Sequence, residues 1–442
     1  MLITTKKSSK SQAYISAENL LIFAFCSAFF SRLLLSIKFP SIVTLFYLII
    51  IPTTAIFILA KTRIKDRLQI KIAKELLVAL IVFFGVNISS ALLNQAGLIN
   101  SCLNFLFFCI QFFFLAALIS LQLTQKKLQK IKKFIVFASF INLLLALVQG
   151  ITLQSGNPDD VKGVFIEGGA GHVLGTSVSI TFGAYYLVSA KHVPLWIRVG
   201  VVLATLVHMT MADAKQVMLF FMFAGVLTLL FKLGDIVKAI LYIIGTVILF
   251  YAFYWATQNI PALAAFNTWM RPEIYGPDGE ATLLKTATFR LVPTFYHSPL
   301  NHLLGLGPGH TVGRLGGWML EKYSNLLTPL GATIHPASAA IWQTVVASWL
   351  GSQSSMFSPL FGWAGIWGDL GWLGLISYGY IWVVIWRRFC FDDFSKFLAL
   401  TPLISGLIFT QMEEAGYMIY VVMIIGLRWQ EYHLTRKENL KI

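Results

Sequence analysis

Apolar runs about twenty residues long recur along this chain, and no other feature restricts its folding as much. A run of that length crosses the hydrocarbon core of a bilayer as a helix. Lipid offers the backbone no hydrogen-bond partners, so a chain of such runs folds as a bundle of helices. The runs lie at 19–37, 40–60, 75–95, 100–122, 134–153, 171–190, 195–212, 215–231, 237–257, 363–386, 397–412 and 415–428. Composition agrees: 57% of the 442 residues are hydrophobic and 12% are charged, whereas a soluble domain is about a quarter charged. A soluble surface must still be covered with polar groups, and this chain has too few of them. The expectation is an all-α integral membrane protein with about twelve transmembrane helices. The first run begins near Glu18 without a small-residue cleavage site and reads as a retained span.

Orientation follows from lysine and arginine. Basic residues cluster at Lys6, Lys7 and Lys10, at Lys61, Arg63, Lys65, Arg67, Lys71 and Lys74, and at Lys126, Lys127, Lys130, Lys132 and Lys133. Lys191 and Arg198, Lys232 and Lys238, Arg387 and Arg388, then Arg428, Arg436, Lys437 and Lys441 continue the series. All fall on one side when twelve spans are counted, which predicts cytoplasmic termini. The same distribution assigns the net charge of +15 to membrane orientation and argues against a nucleic-acid partner. Cys26, Cys102 and Cys109 lie within apolar runs and Cys390 follows a basic pair, so no disulfides are expected.

Three regions result: 1–257 with nine spans, a long external loop 258–362 between the ninth and tenth, and 363–442 with the last three spans and a cytoplasmic tail. A connection that long is usually functional or disordered. This one holds Trp269, Tyr275, Phe289, Phe295, Tyr296, Trp318, Tyr323, Trp342 and Trp349 and is too aromatic for disorder. It is expected to lie on the membrane surface, with amphipathic pieces such as Ala337–Leu350.

Within the loop, Arg290 precedes a turn in which Gly305, Gly307 and Gly309 alternate with other residues and lead to His310. Glycines at this spacing permit close backbone approach, and a guanidinium matches phosphate oxygens at every relevant pH. The plain alternative is a tight turn with Arg290 paired to a carboxylate. His335 stands in a polar stretch and could deprotonate a hydroxyl, with His297, His302 and His310 as competitors; an ordinary surface histidine is the alternative. Asp369 falls inside the tenth span beside Gly368, Gly371 and Gly374, where an acid needs a partner and small residues permit close packing. Asp213 and Lys215, the pair Glu413 and Glu414, and Lys162, Glu167 and His172 occupy other external connections. These groups sit at the external edge and few occupy the middle of a span, which weighs against a transporter or flippase.

Together, the twelve spans, the long loop before the tenth, Arg290 with "SPLNHLLGLGPG", His335 downstream and "GDLGWLGL" at 368–375 resemble the O-antigen polymerase and ligase superfamily. The segments "VKGVFIEGGAGHVLG" and "DAKQ" resemble weaker stretches of some polysaccharide polymerases. The resemblance implies a metal-independent membrane glycosyltransferase of the lipid-linked-donor, GT-C-like architecture, needing no cofactor. Its donor would be a glycan on undecaprenyl diphosphate, polymerised on the periplasmic side of the inner membrane into an exopolysaccharide or O-antigen. Arg290 would clamp the diphosphate, with His335 and Asp369 completing the catalytic set. Lys215, Arg314, Lys162, His172, Gly305, Gly307, Gly309 and His310 would contact diphosphate or glycan. Membrane lipids, a chain-length regulator and a flippase are the implied partners. Pro336 after His335, and Asp369 lying 34 residues beyond His335, depart from the ligase pattern and favour a polymerase over a ligase; aspartate rather than glutamate at 369 is a further departure.

Overall fold

The computed structural model describes residues 16–62, 66–152, 156–166, 170–232, 236–260, 272–353 and 355–439. Lys6, Lys7, Lys10, Arg63, Lys65, Glu167, Trp269 and Lys441 lie outside them. The apolar runs are largely helical, and no strand occurs among the described residues. In chain order the main helices are α1 (Ala17–Phe29), α2 (Tyr47–Lys61), α3 (Arg67–Leu93), α4 (Leu98–Ser120), α5 (Gln125–Thr152), α6 (Gly171–Ser189) and α7 (Leu195–Met211). They continue with α8 (Lys215–Lys232), α9 (Ile236–Asn259), α10 (Glu280–Leu291), α11 (Pro336–Ala347), α12 (Gly362–Arg388), α13 (Asp393–Ser405) and α14 (Ala415–Asn439). Six helical segments among the described residues are long and apolar enough to cross a membrane: Ser41–Lys61, which contains α2, and α3, α4, α5, α8 and α12.

Two helices form the centre. In α14 every residue from Tyr417 to Ile425 is fully buried, and α4 is buried throughout its second half. A helix apolar on all sides has to be enclosed by others, and α14 packs on α4, α1, α13 and α6. α14 runs for 25 residues, well beyond the short span expected at 415–428. Its extension carries Arg428, Glu431 and His433 into ion pairs with Asp392, Lys132 and Asp66. Glu75 with Arg388 and Glu18 with Lys127 lie at the same end of the bundle.

The first run does not fold as a single helix. α1 stops at Phe29, and a short turn, Leu33–Ser36, follows before the Ser41–Leu45 segment. Arg32 sits in that break. An arginine inside an apolar run is costly unless it meets a counter-charge, and the break aims its side chain into the bundle rather than at lipid.

The long loop is docked on the bundle by short helices. α11 buries Ala337, Ser338 and Ile341 and leaves Val346 81% exposed, the amphipathic pattern expected for that stretch. On α10, Lys285 is inserted beneath the loop, where its ammonium donates to the carbonyls of Met356 (3.3 Å), Ser358 (3.2 Å) and Ile408 (3.0 Å). Its Nζ also lies 4.2 Å from the Phe361 ring centroid. Burial pushes the Lys285 amine down to about 7, while three carbonyl acceptors favour the charged form. The contact pins the loop to the corner between α13 and α14.

Candidate functional site

The site is assembled from a helix break. Gly371 in α12 has φ of 63°, outside helical space, and this interruption frees the carbonyls of Gly368 and Asp369. They accept hydrogen bonds from Leu306 N (2.8 Å) and Gly307 N (3.0 Å), so the glycine-rich turn lies directly on α12. Only hydrogen fits at the contact. A Cβ on Gly305 would overlap the Asp369 backbone, and one on Gly371 would overlap that of Leu303.

Asp369 completes the docking. Its carboxylate is 1% exposed and accepts from Gly309 N (2.7 Å), Thr311 N (2.9 Å) and the Thr311 hydroxyl (2.6 Å). The turn therefore spends its amides on Asp369 and on the backbone of α12, leaving none aimed at a ligand. Asp369 thus holds the turn in place with both its oxygens. Gly305 makes its close approach to the backbone of α12.

The turn carries Arg314 into the bundle. Arg314 is 6% exposed, and its Nη1 lies 2.7 Å from Glu414 Oε2. Arg32 reaches the same oxygen from the α1 break, at 2.9 Å. Glu413 accepts from Arg314 N (2.7 Å) and offers its own carbonyl to Arg314 Nη1 (3.2 Å). The rings of Phe107 and Trp318 flank the guanidinium, 5.4 and 5.7 Å away. Burial opposes the Arg314 charge, but Glu414, Tyr47 and Glu413 raise its pKa and hold it cationic. Burial pushes the Glu413 carboxyl up to about 8, against Arg314.

Ser31, Arg32, Thr44, Tyr47, Arg314 and Glu414 line a polar pocket here, closed on its apolar side by Phe165. The Tyr47 hydroxyl and Arg314 Nε are buried without a hydrogen-bond partner among the described residues. Such groups cost on the order of 1–3 kcal/mol each when left unpaired, so a ligand or water that met them would be favoured. The loop bearing Phe165 is bolted in place by α5: Gln149 Oε1 accepts Lys162 N (2.8 Å) and Gly163 N (2.7 Å), and Asn142 Oδ1 accepts Val164 N (3.1 Å).

The histidines sit elsewhere. His335 caps α11, its Nδ1 accepting from Ala337 N at 3.2 Å. The neutral ring then carries its proton on Nε2 and can only donate there, which removes His335 as a ready base. Burial and His297 both lower its pKa. His310 stacks on it with centroids 5.2 Å apart and has both nitrogens engaged, by the Leu306 carbonyl and the Thr333 hydroxyl. Burial takes His310 down to about 4, so it stays neutral.

The remaining candidates are dispersed. Arg290 is exposed on the last turn of α10 and donates to its own helix, at Leu283 O (2.6 Å) and Thr286 Oγ1 (3.3 Å). Among the described residues it makes no ion pair, and it does not line the pocket. Lys215, with its side chain 84% exposed, pairs with Asp213; Lys162 pairs with Asp160; and His172 faces Asp159 at 3.6 Å. Of the residues singled out for diphosphate or glycan contact, only Arg314 lines the pocket. Sequence reasoning passed over Arg32, Tyr47 and Lys285. A signal for Arg32 was present, because it is a cation within the apolar run 19–37.

Among the described residues, no three His, Cys, Asp or Glu side chains converge as a metal site. Comparison with protein-family models, with curated proteins and with solved structures returned no match.

Proposed function

We propose that this protein is a membrane glycosyltransferase that polymerises glycans carried on undecaprenyl diphosphate, on the periplasmic side of the inner membrane. The observation that carries the proposal is the convergence of Arg32 and Arg314 on one carboxylate oxygen of Glu414, in a polar pocket that also holds an unpartnered tyrosine hydroxyl. Transfer from a lipid diphosphate breaks the bond between the anomeric carbon and the diphosphate oxygen, and the electron pair stays with that oxygen. Two guanidiniums fixed with little solvent exposure are suited to the charge that develops there. The acceptor hydroxyl forms the new bond and gives up its proton to a carboxylate. Arginines supply permanent positive charge, so the chemistry proposed here requires no metal.

Glycosyl transfer fits the bundle better than transport. The pocket's charges sit at one end of the helices, beneath a docked loop, and the ion pairs of Arg388 and Arg428 lie at the opposite end, rather than along a path between two faces. Arg290, exposed and unpaired, is assigned the first encounter with the anionic lipid at the surface.

Two measurements test this reading. Purified protein in nanodiscs, given an undecaprenyl-diphosphate-linked oligosaccharide and EDTA, should yield a ladder of longer glycans and release undecaprenyl diphosphate. Unextended donor, or extension only after Mg²⁺ is supplied, would sink the mechanism. Separately, reporter fusions at the exposed Asn325 should be active only for a periplasmic-type reporter. A cytoplasmic signal there would invert the topology and place the pocket on the wrong side.

A further inference from the structure

The resting pocket already contains an anion. Glu414 Oε2 sits where both guanidiniums point, at 2.9 Å from Arg32 Nη2 and 2.7 Å from Arg314 Nη1. That is the position a phosphate oxygen would take if the arginines held a diphosphate. We propose that the Glu414 carboxylate is a built-in stand-in for the phosphate oxyanion of the ligand, and that ligand binding displaces it from between Arg32 and Arg314. The inference rests on the pocket being the diphosphate site proposed above, and adds that the site is self-blocked until ligand arrives.

Three further observations support an exchange rather than a permanent structural pair. First, the pairing is incomplete for a structural role: Arg314 Nε and the Tyr47 hydroxyl remain buried and unpartnered while Glu414 occupies the site. A diphosphate presents several acceptor oxygens and could satisfy donors that a single carboxylate leaves over. Second, the charge count favours it. Glu413, with its carboxyl pushed up to about 8, is largely protonated at neutral pH, leaving two guanidiniums against one carboxylate. A diphosphate brings the second negative charge. Third, Glu414 has somewhere to go. It lies on the link between the Gln411–Glu413 turn and the start of α14, with its side chain 15% exposed, whereas Glu413 is fully buried and anchored to the Arg314 backbone.

Exchange has two consequences. An empty pocket does not leave two buried arginines unneutralised, an arrangement that would cost several kcal/mol. The carboxylate released by the ligand also becomes the nearest free base for an acceptor hydroxyl only after the donor is bound. Proton removal is thereby tied to occupancy of the site.

The test is equilibrium binding of inorganic pyrophosphate to the detergent-purified full chain, comparing the wild type with Glu414→Gln, Glu413→Gln and the double variant Glu414→Gln/Arg314→Ala. Removing the competing charge should tighten pyrophosphate binding at least tenfold in Glu414→Gln. Glu413→Gln should bind like the wild type, and the double variant should lose the gain. A thermal melt of each variant confirms that folded proteins are compared. Pyrophosphate binding that is unchanged, weakened or undetectable in folded Glu414→Gln overturns the exchange, as does an equal gain in Glu413→Gln. Phosphatidylglycerol micelles that compete as strongly as pyrophosphate would identify a lipid phosphodiester as the oxyanion source, with the exchange still supported. No glycan or turnover enters this assay, so the two ideas fail separately. Tighter binding without any ladder from the wild type removes the glycosyltransferase reading alone, and a ladder without tighter binding removes the exchange alone.

Discussion

Arg314→Ala is expected to abolish polymer formation, lowering the rate by on the order of a hundredfold or more, the usual cost of losing one preorganised electrostatic contact. Two effects reinforce each other at this position. The substitution removes a guanidinium from the pocket, and it leaves Arg32 as the one cation on the Glu414 carboxylate. Breaking a buried ion pair is destabilising, so the amount of Arg314→Ala protein in the membrane should fall as well. Arg314→Lys separates the two losses. A lysine keeps the charge near Glu414 and preserves most of the protein, but it lacks the planar set of donors with which a guanidinium grips phosphate oxygens bidentately. It should accumulate normally and still make little polymer. Arg290→Ala provides the contrast: an exposed guanidinium with no ion pair should leave protein level unchanged. It should slow polymer formation only about tenfold, by an amount that shrinks with added salt as its field is screened. Ladder length and membrane protein level, measured together for the three variants, check all of this. Wild-type polymer from Arg314→Ala would dismiss the pocket, and a deeper loss from Arg290→Ala than from Arg314→Ala would move the diphosphate site onto α10.

Asp369→Asn is expected to reduce protein level and activity together. If Asp369 acted directly on substrate, the amide would leave the protein intact and stop the chemistry. The observed geometry predicts otherwise, because the carboxylate is enclosed and accepts two backbone N–H groups and a hydroxyl of the glycine-rich turn. An amide nitrogen in place of one oxygen faces a donor with a donor. Each amide left without an acceptor costs about 1–3 kcal/mol, enough to unseat the turn that carries Arg314. Membrane protein level and polymer yield should fall in proportion. Normal abundance of Asp369→Asn protein with no polymer would restore a direct chemical role to this carboxylate.

Much of the architecture was legible because it is written locally. Most apolar runs became helices, as the length and composition of the runs require in lipid. The aromatic character of the long loop argued for an ordered segment on the membrane surface, and in the structure its short helices pack against the bundle. Glycine at 305, 307, 309, 368 and 371 announced close backbone contact, and the structure supplies its other half, since the two glycine sets face each other. Where sequence reasoning went astray was in assigning partners. Asp369 lies among residues that read as a motif, yet its partners are backbone amides some sixty positions earlier. His335 reads as a free imidazole, but the Ala337 N–H at the start of α11 donates to its Nδ1.

The sequence by itself determined an all-α membrane-type bundle and where most of its helices lie along the chain, because helix formation in an apolar setting depends only on neighbouring residues. It also flagged the glutamate pair and the glycine-rich turn as chemically unusual. Only the tertiary structure decided that Arg32, near the start of the chain, and Arg314, in the loop, meet at Glu414 near its end. The physical reason is that a buried charge is tolerated only against a partner, and the partner is fixed by how α1 breaks, how α12 kinks and how α14 threads the core. None of those three is a property of any short stretch of residues.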